Sequence, residues 1–358
     1  MKNIYLFILL ISSIACNQNK EAITYDSSCL EKAPVSKYSF TILHPEPECK
    51  YPIQIDKIDT FLIVRDMVNP KAFLHLFSTS GKFIRSFGNL GNGPGEITTT
   101  TPFISDKKNK TIQVFNNHKV ITYNIPDLAD QKQKYFEEKI LPFNVNFPIN
   151  RTIEYTPDVY LHVGFTSKMR ICITSQDSIF TRYYHWLPVL NTNDTDIPIA
   201  VMSYNDHVNL KPDKTKFIQA TYIGAVFEIF SIDQKTIKPI CNRKIFKPVY
   251  KIVNADLHAV SWYEDTTIGF DNISVTDNFI YTLLSGKKGE DLLDLEAENA
   301  FSKNITIFNW NGNVEKIIQT DKMLFSITPD EENNTFYGFS FSADNGFQLG
   351  IIKQTDRG

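Results

Sequence analysis

Residues 91–97, GNGPGEI, set three glycines and a proline directly before a carboxylate, Glu96. A turn this rich in glycine can cradle a phosphate with backbone N–H groups, carry a catalytic acid on a loop, or turn a tight corner. A phosphate cradle needs a following helix whose N-terminus faces the phosphate. Here ITTTTPFIS follows, β-branched and strand-like, and the Lys of a GK[ST] ending is absent. Pro94-Gly95 suits the centre of a type II turn, because Pro fixes φ and Gly accepts a positive φ. The expectation is a structural corner made by Gly93, Pro94 and Gly95. Glu96 either accepts N–H bonds that hold this corner or also lines a ligand pocket.

Other groups with chemistry are scattered. Arg65 and Asp66 end an apolar run, FLIVRD, and are expected beside a binding site. Trp262, Tyr263 and Glu264, in SWYED, form a polar-aromatic group of the kind that rims a pocket; ordinary packing at a sheet edge is the alternative. Asp265, Asp271 and Asp277 recur every six residues and could hold Ca²⁺ together with carbonyls, but turn chemistry explains them equally well. Calcium therefore stays unsupported, and no cofactor or metal is expected. None of the seven histidines lies in an HExxH motif. His75 alternates with Phe73 and Phe77 on one strand face, which reads as packing or an internal hydrogen bond. Tyr183-Tyr184-His185-Trp186 is core if buried, and stacks a sugar or peptide if exposed. There is no GxSxG elbow, so an α/β-hydrolase serine is out. No catalytic residue is assigned.

The N-terminus carries its own chemistry. Lys2 precedes the apolar run Ile4–Ile11, and Ala15-Cys16 follows. That run is too short to span a bilayer, which takes about 20 apolar residues, but it fits a secretory signal. Its end resembles the lipobox of bacterial lipoproteins, with Ser13 where Leu is usual. The resemblance implies that Cys16 becomes the lipid-bearing first residue; an ordinary signal cut at Ala15 is the alternative. The expected organisation is a signal over 1–16, a polar tether over 17–30 and one domain over 31–358. Membrane attachment is then by anchor rather than by spanning. An exported chain permits disulfides, and Cys29 and Cys49 are close enough in sequence to pair. Cys172 and Cys241 read as small hydrophobes.

The net charge is −3, and lysines and arginines occur in ones and twos. That argues against a nucleic-acid surface, which needs one basic face. The 27 Phe and 16 Tyr favour strands. Helix signals are scarce: DLADQKQKYFEEK (127–139) and DLLDLEAENA (291–300) are the two candidates. Elsewhere short alternating runs break at Gly, Asn and Asp. HLFSTSGKFIRSFG, QVFNNHKVITYNI, EIFSIDQKTIKPI and TIFNWNGNVEKIIQ share a pattern: an alternating strand, a turn, then a more polar strand. Such units, far apart in an all-β chain, suggest radial repetition. With roughly 40–50 residues per four-stranded blade, about six blades use the chain. A β-sandwich and a jelly-roll pair are the competing folds.

SGKFIRSFGNLGNGPGEI resembles the repeat junction of NHL-type and TolB-like six-bladed propellers. GFDNISVTDNFIYTLLSGKKGE followed by NITIFNWNGNVEKII is similar to the C-terminal half of TolB-like propeller lipoproteins of Gram-negative bacteria. The resemblance covers roughly residues 40–355 and is weakest over about 140–215. It implies an all-β, six-bladed β-propeller of four-stranded antiparallel blades, located in the cell envelope as an outer membrane lipoprotein of unassigned face. It brings no chemistry with it. The expected role is a monomeric binding or protein-interaction module for an envelope protein, a peptide or a glycan. The alternative is a hydrolase or lyase with its site at the channel mouth, and whether the chain is an enzyme stays open with the balance toward a binder.

Overall fold

The computed structural model describes residues 24–43, 48–69, 71–99, 101–116, 119–141, 149–166, 169–175, 178–183, 207–233, 236–249, 251–254, 259–261, 266–289 and 301–355. A four-residue helix α1 (Ser28–Glu31) precedes strand β1 (Val35–Ile42). Four separate four-stranded meanders follow, each paired in sequence order. The first holds β2 (Pro52–Ile58), β3 (Phe61–Asp66), β4 (Ala72–Ser78) and β5 (Phe83–Asn89). The second holds β6 (Phe103–Asp106), β7 (Thr111–Asn116), β8 (Lys119–Asn124) and β9 (Phe136–Ile140), with helix α2 (Ile125–Ala129) between the last two. The third is β10 (Ile149–Thr156), β11 (Val159–Thr166), β12 (Met169–Ser175) and β13 (Ser178–Tyr183). The fourth is β14 (His207–Leu210), β15 (Lys216–Ala220), β16 (Ala225–Asp233) and β17 (Thr236–Phe246). A two-stranded ribbon, β18 (Lys251–Asn254) and β19 (Ala259–Ser261), comes next.

The last sheet has seven strands: β20 (Phe270–Val275), β21 (Phe279–Leu284), β22 (Ser302–Asn309), β23 (Val314–Asp330), β24 (Thr335–Ser342), β25 (Gly346–Gln354) and β1, which pairs with both β25 and the first part of β23. Strand β23 serves two partners in succession. Its first part pairs with β22 from Val314 to Gln319, with Ser302–Leu324 added beyond a register shift, and from Leu324 onward it pairs with β24. A shared core packs Leu283 and Ile305 of one half against Phe336, Ile352 and Phe40 of the other.

Apolar cores lie between consecutive sheets rather than on one side of each. Ile63 and Leu76 of the first sheet meet Ile112 and Ile121 of the second. Leu161 and Ile173 of the third meet Phe217 and Phe230 of the fourth. Phe227 of the fourth meets Phe270 and Phe308 of the seven-stranded sheet. Leu62 and Phe77 of the first close the circle against Phe339 and Leu349. Middle strands are therefore buried on both faces, which is why FLIVRD and AFLHLFS read apolar almost throughout. The fold is an all-β propeller. Its first strands surround a narrow axial cavity lined by Gln54, Phe103, Arg151, Val208 and Asn272.

The loop geometry explains the repeated pattern. Ser78 N–H bonds the Lys82 carbonyl and Gly81 N–H bonds the Ser78 carbonyl; Asn309, Asn313 and Gly312 repeat both bonds. Gly81 and Gly312 take the positive φ, +87° and +80°. Asn311 does not, so WNGN is a turn with a single left-handed residue, and the adjacent register shift between Ile307 and Phe308 follows from it. QVFNNHKVITYNI is out of phase with the others. It forms the second and third strands of its sheet, whereas the other three motifs form the third and fourth. Any alternating hairpin produces the same letters.

Two sequence expectations change. DLADQKQKYFEEK is not one helix. The Asn124 side chain caps α2 by accepting the Asp127 N–H, α2 ends at Ala129, and Phe136 starts a strand because it and Tyr135 pack on Tyr123. Cys29 and Cys49 are both free thiols. Cys29 lies beside Asp26, where the Asp26 N–H bonds Lys244 of β17, and Cys49 is buried under the first sheet. The second helix candidate, 291–300, lies outside the described residues. Among the described residues no helix is long and apolar enough to cross a membrane.

Candidate functional site

The first strand of each four-stranded sheet, and β20 of the seven-stranded one, is an edge that lines the axial cavity, and an unpaired edge is costly when buried. Side chains from neighbouring sheets cover these edges. Gln54 Nε2 donates to the Phe103 carbonyl at 2.8 Å, and its Oε1 accepts the Phe103 N–H at 3.2 Å. Arg151 donates to the Val208 carbonyl at 2.6 Å. Asn209 donates to the Ile273 carbonyl, and Asn272 accepts the Ile327 N–H. Ser326 donates to the Pro52 carbonyl at 2.8 Å. The waist of the channel is thus stitched from sheet to sheet, and its axial cavity is only about 60 Å³.

Below the waist, where the first strands end, the channel opens into a bowl of about 1280 Å³. Its wall is made of the turns between the first and second strands, including Asp59-Thr60, Lys107–Asn109, Lys211–Lys214 and Glu331–Asn333. Ion pairs link different sheets across it: Lys57 to Asp330 at 3.2 Å, Lys107 to Asp56 at 3.2 Å and Lys214 to Asp106 at 3.5 Å. Asp277 accepts the Asp213 N–H at 2.8 Å. Partial burial would raise the Asp106 carboxyl, but N–H bonds from Asn109 and the Lys214 charge outweigh it and hold the group below the usual carboxylate range. Asp213 is held low in the same way by Lys211 and Thr215 against its own burial. Carboxylates outnumber lysines among the lining residues, eight to five. Lys108 and Glu332 make no ion pair among the described residues and stand exposed on the rim.

Above the waist, where the first strands begin, one residue drops out of the ladder in four of them: Ile53, Asn150, Asp271 and Phe325. Bulges at a common level bend and twist these strands at the mouth. Asp271 has a buried Oδ2 without a hydrogen-bond partner among the described residues, and burial raises its carboxyl to about 8 despite the charge of Lys287. His207 bonds the Phe270 carbonyl at 2.8 Å. Burial drives its pKa down to about 4, with the Arg151 and Arg65 guanidiniums adding to the effect. Burial also lowers Arg65 itself, to about 9, and Arg151 contributes. The same face carries the exposed Tyr51, Met67, Val68 and Leu90.

The residues singled out in the sequence separate. Arg65 lies in the upper mouth near Arg151 and His207. Its neighbour Asp66 faces the other way: its carboxylate accepts the N–H groups of Lys50, Tyr51 and Val68 at 2.8, 2.9 and 3.2 Å and fixes the turn. Glu96 bonds back to the Gly93 N–H at 2.7 Å, and its carboxylate fills the space a Gly91 side chain would need. Gly95 takes φ +71°, donates to Glu138 and accepts the Tyr123 hydroxyl at 2.9 Å. The corner joins β5 to β6. Trp262, Tyr263, Glu264 and Cys16 lie outside the described residues. Sequence reasoning missed Gln54, Arg151, His207 and Asp271 as channel residues and the whole charged bowl. The one local signal for the bowl is the polar doublet or triplet at the end of each first strand.

The family model described as TolB-like 6-blade propeller-like matches residues 24–332. Among solved structures, the chain is similar to a protein of Bacteroides fragilis described as exported, at 13% identity and a TM-score of 0.52, covering 90% of this chain and 99% of that one. It is also similar to the RRP9 WD40 repeats, at 7% identity and a TM-score of 0.48, covering 90% and 99% of the two chains. No curated protein matches.

Proposed function

The chain belongs to the TolB-like six-blade propeller-like family, and from that premise we propose that it is an exported, six-bladed binding module that seats an amine-bearing peptide segment in the lower bowl. Six blades follow if the seven-stranded sheet is divided at Gln319–Leu324 of β23. Its halves are then β20 to the first part of β23, and the rest of β23 with β24, β25 and β1, beside the four separate sheets. Export and a lipid anchor at Cys16 rest on the signal-like N-terminus.

The bowl carries the reading. It is wide, walled by turns, and richer in carboxylates than in lysines. Two of its inter-sheet ion pairs are partly exposed: the Lys107 and Asp56 side chains keep 34% and 19% of their surface and Lys214 and Asp106 keep 40% and 24%, whereas Lys57–Asp330 is largely buried. Such pairs are worth little, about 0–1 kcal/mol, so ligand amines can replace the lysines at small cost. Turns on a rigid scaffold are where recognition residues are usually placed.

The test is titration of the chain starting after Cys16 against lysine-rich peptides and their acetylated forms, at two salt concentrations. Free peptides should bind, acetylated ones at least about tenfold more weakly, and salt should weaken binding. The exposed charge reversals Glu332→Lys and Asp277→Lys should lower affinity. Equal binding of both peptide forms, or indifference to both reversals, removes this reading. A second reading, a hydrolase or lyase at the upper mouth, is favoured by Asp271, a bulged and buried carboxyl poised near neutrality. Turnover of a substrate panel that Asp271→Asn abolishes would support it.

A further inference from the structure

Away from both mouths, three side chains with different metal-binding chemistry meet under the first sheet. They are Cys49, Asp66 and His75, all buried, with one ligand atom from each lying within 4.8 Å of the others. They come from three places: the segment before β2, the end of β3 and the middle of β4.

The surrounding hydrogen bonds decide which lone pairs remain. Asn69 Oδ1 accepts the N–H groups of Lys71 and Ala72, so its Nδ2 must be the atom that faces His75 Nε2, at 3.4 Å. Nε2 then carries the ring's one lone pair, held only by this long 3.4 Å contact, which a metal ion would have to displace, and the ring proton sits on Nδ1, which donates to Ser86 Oγ at 2.8 Å. A second partner of this kind is what orients a metal-binding imidazole. Asp66 Oδ1 takes two N–H groups, but Oδ2 takes only the Lys50 N–H and keeps one lone pair. That oxygen lies 3.8 Å from His75 Nε2. Beside them stands a buried free thiol. Three electron-pair donors therefore converge among buried residues, and a cation between them would resolve the crowding.

We propose that Cys49, Asp66 and His75 bind one Zn²⁺ ion, through Sγ, Oδ2 and Nε2. The donor set of one sulfur, one nitrogen and one oxygen is a zinc set. Zinc bonds to nitrogen and oxygen of about 2.0–2.2 Å in a tetrahedron put those two ligand atoms about 3.3–3.5 Å apart, so the 3.8 Å between Asp66 Oδ2 and His75 Nε2 has to close by only a few tenths of an ångström on binding. The thiolate and carboxylate balance its charge, and the thiol proton leaves to solvent on binding. The fourth position is left for water. This inference is independent of the peptide reading.

The experiment uses the chain starting after Cys16, purified, with Zn²⁺ measured before and after dialysis and Co²⁺ as the spectroscopic probe. One equivalent of Zn²⁺ should be retained. Zn²⁺ should raise the melting temperature, a chelator should reverse the rise, and Co²⁺ should give a near-ultraviolet thiolate charge-transfer band. Cys49→Ser should lose the band and the Zn²⁺-dependent rise. If that variant fails to fold, replacing Cys29, Cys172 and Cys241 by Ser leaves Cys49 as the sole thiol, and the band should persist. No retained Zn²⁺ and no band in the unmodified chain, or a band that survives Cys49→Ser, overturns the proposal.

Discussion

Gln54 of β2 holds both backbone groups of Phe103 in β6, donating to its carbonyl at 2.8 Å and accepting its N–H at 3.2 Å. A primary amide here does what an adjacent strand would do, and it does so between the inner strands of two different sheets. Phe103 is 2% exposed, so water does not take its place.

Gln54→Leu keeps the volume and removes both partners. Each backbone group left unpaired in a buried place costs about 1–3 kcal/mol. The expected loss is about 2–4 kcal/mol in urea unfolding with an unchanged denaturant slope. A loss near zero would mean that the contact contributes nothing to the junction.

Asp271 predicts a pH effect of defined sign. Its folded pKa, about 8, lies above the ordinary carboxyl value of 3.8. As pH rises from about 4 to 8, the unfolded chain ionises while the folded one resists, so this group progressively destabilises the fold. Asp271→Asn should therefore match the parent near pH 4 and exceed it near pH 8, by on the order of 2 kcal/mol once water penetration is allowed for. Thermal unfolding across that range checks it, and a variant that is less stable at pH 8 contradicts it.

His162 predicts the opposite trend. Its ring joins Thr152 of β10 to Thr174 of β12, at 2.9 and 2.7 Å, and burial holds its pKa at about 3. The stability it contributes is complete above the unfolded value of 6.5 and falls as pH drops from there toward 3. That amounts to about 2 kcal/mol at pH 5 relative to pH 7. His207, held at about 4, adds to the same decline. His162→Leu should flatten the acid limb of a stability–pH curve, and an unchanged limb would rule out this origin.

Gly269 and Gly224 touch through their backbones. A side-chain carbon on Gly269 would lie 1.5 Å from the Gly224 carbonyl oxygen, while the Gly224 N–H bonds Thr267 and the Gly269 N–H bonds Tyr222. Because the obstacle is backbone, Gly269→Ala must part the fourth sheet from the seven-stranded one. A cost of at least about 3 kcal/mol is expected. Gly346→Ala, at φ +64° with open space around it, should cost only about 1 kcal/mol. Equal effects of the two changes in unfolding experiments would argue against the close contact.

The strands and their circular arrangement were legible because both rest on local pattern. Period-two alternation marks the outer strands and short apolar runs mark middle strands such as FLIVRD, and the Gly81 and Gly312 turns repeat the same bonds. The Pro94-Gly95 corner was legible for the same reason. The channel was not. Gln54 and Phe103, or Asn272 and Ile327, become partners only when the sheets are set around the axis, and nothing near either residue encodes that distance. Arg65 and Asp66 show a second limit. Adjacent strand residues point to opposite faces, so one side chain reaches the mouth and the other the Cys49 pocket, and reading them as a pair was misleading. Asp271 stands out only through a bulge, which depends on the register of β20 against β21.

Strand β1 lies between β25 and the first part of β23, and the Lys37 carbonyl accepts from Thr355, 318 positions later. This arrangement sets an order of events. During synthesis β1 emerges before the four separate sheets, yet its partners β23 and β25 are made after all of them, so it must wait as an open edge while those sheets can already close. Closing so long a loop is slow, and a waiting edge is the kind that captures other chains. The stretch VSKYSFTI is therefore the most exposed part of the molecule during its birth and sits in the final seam once the circle is shut.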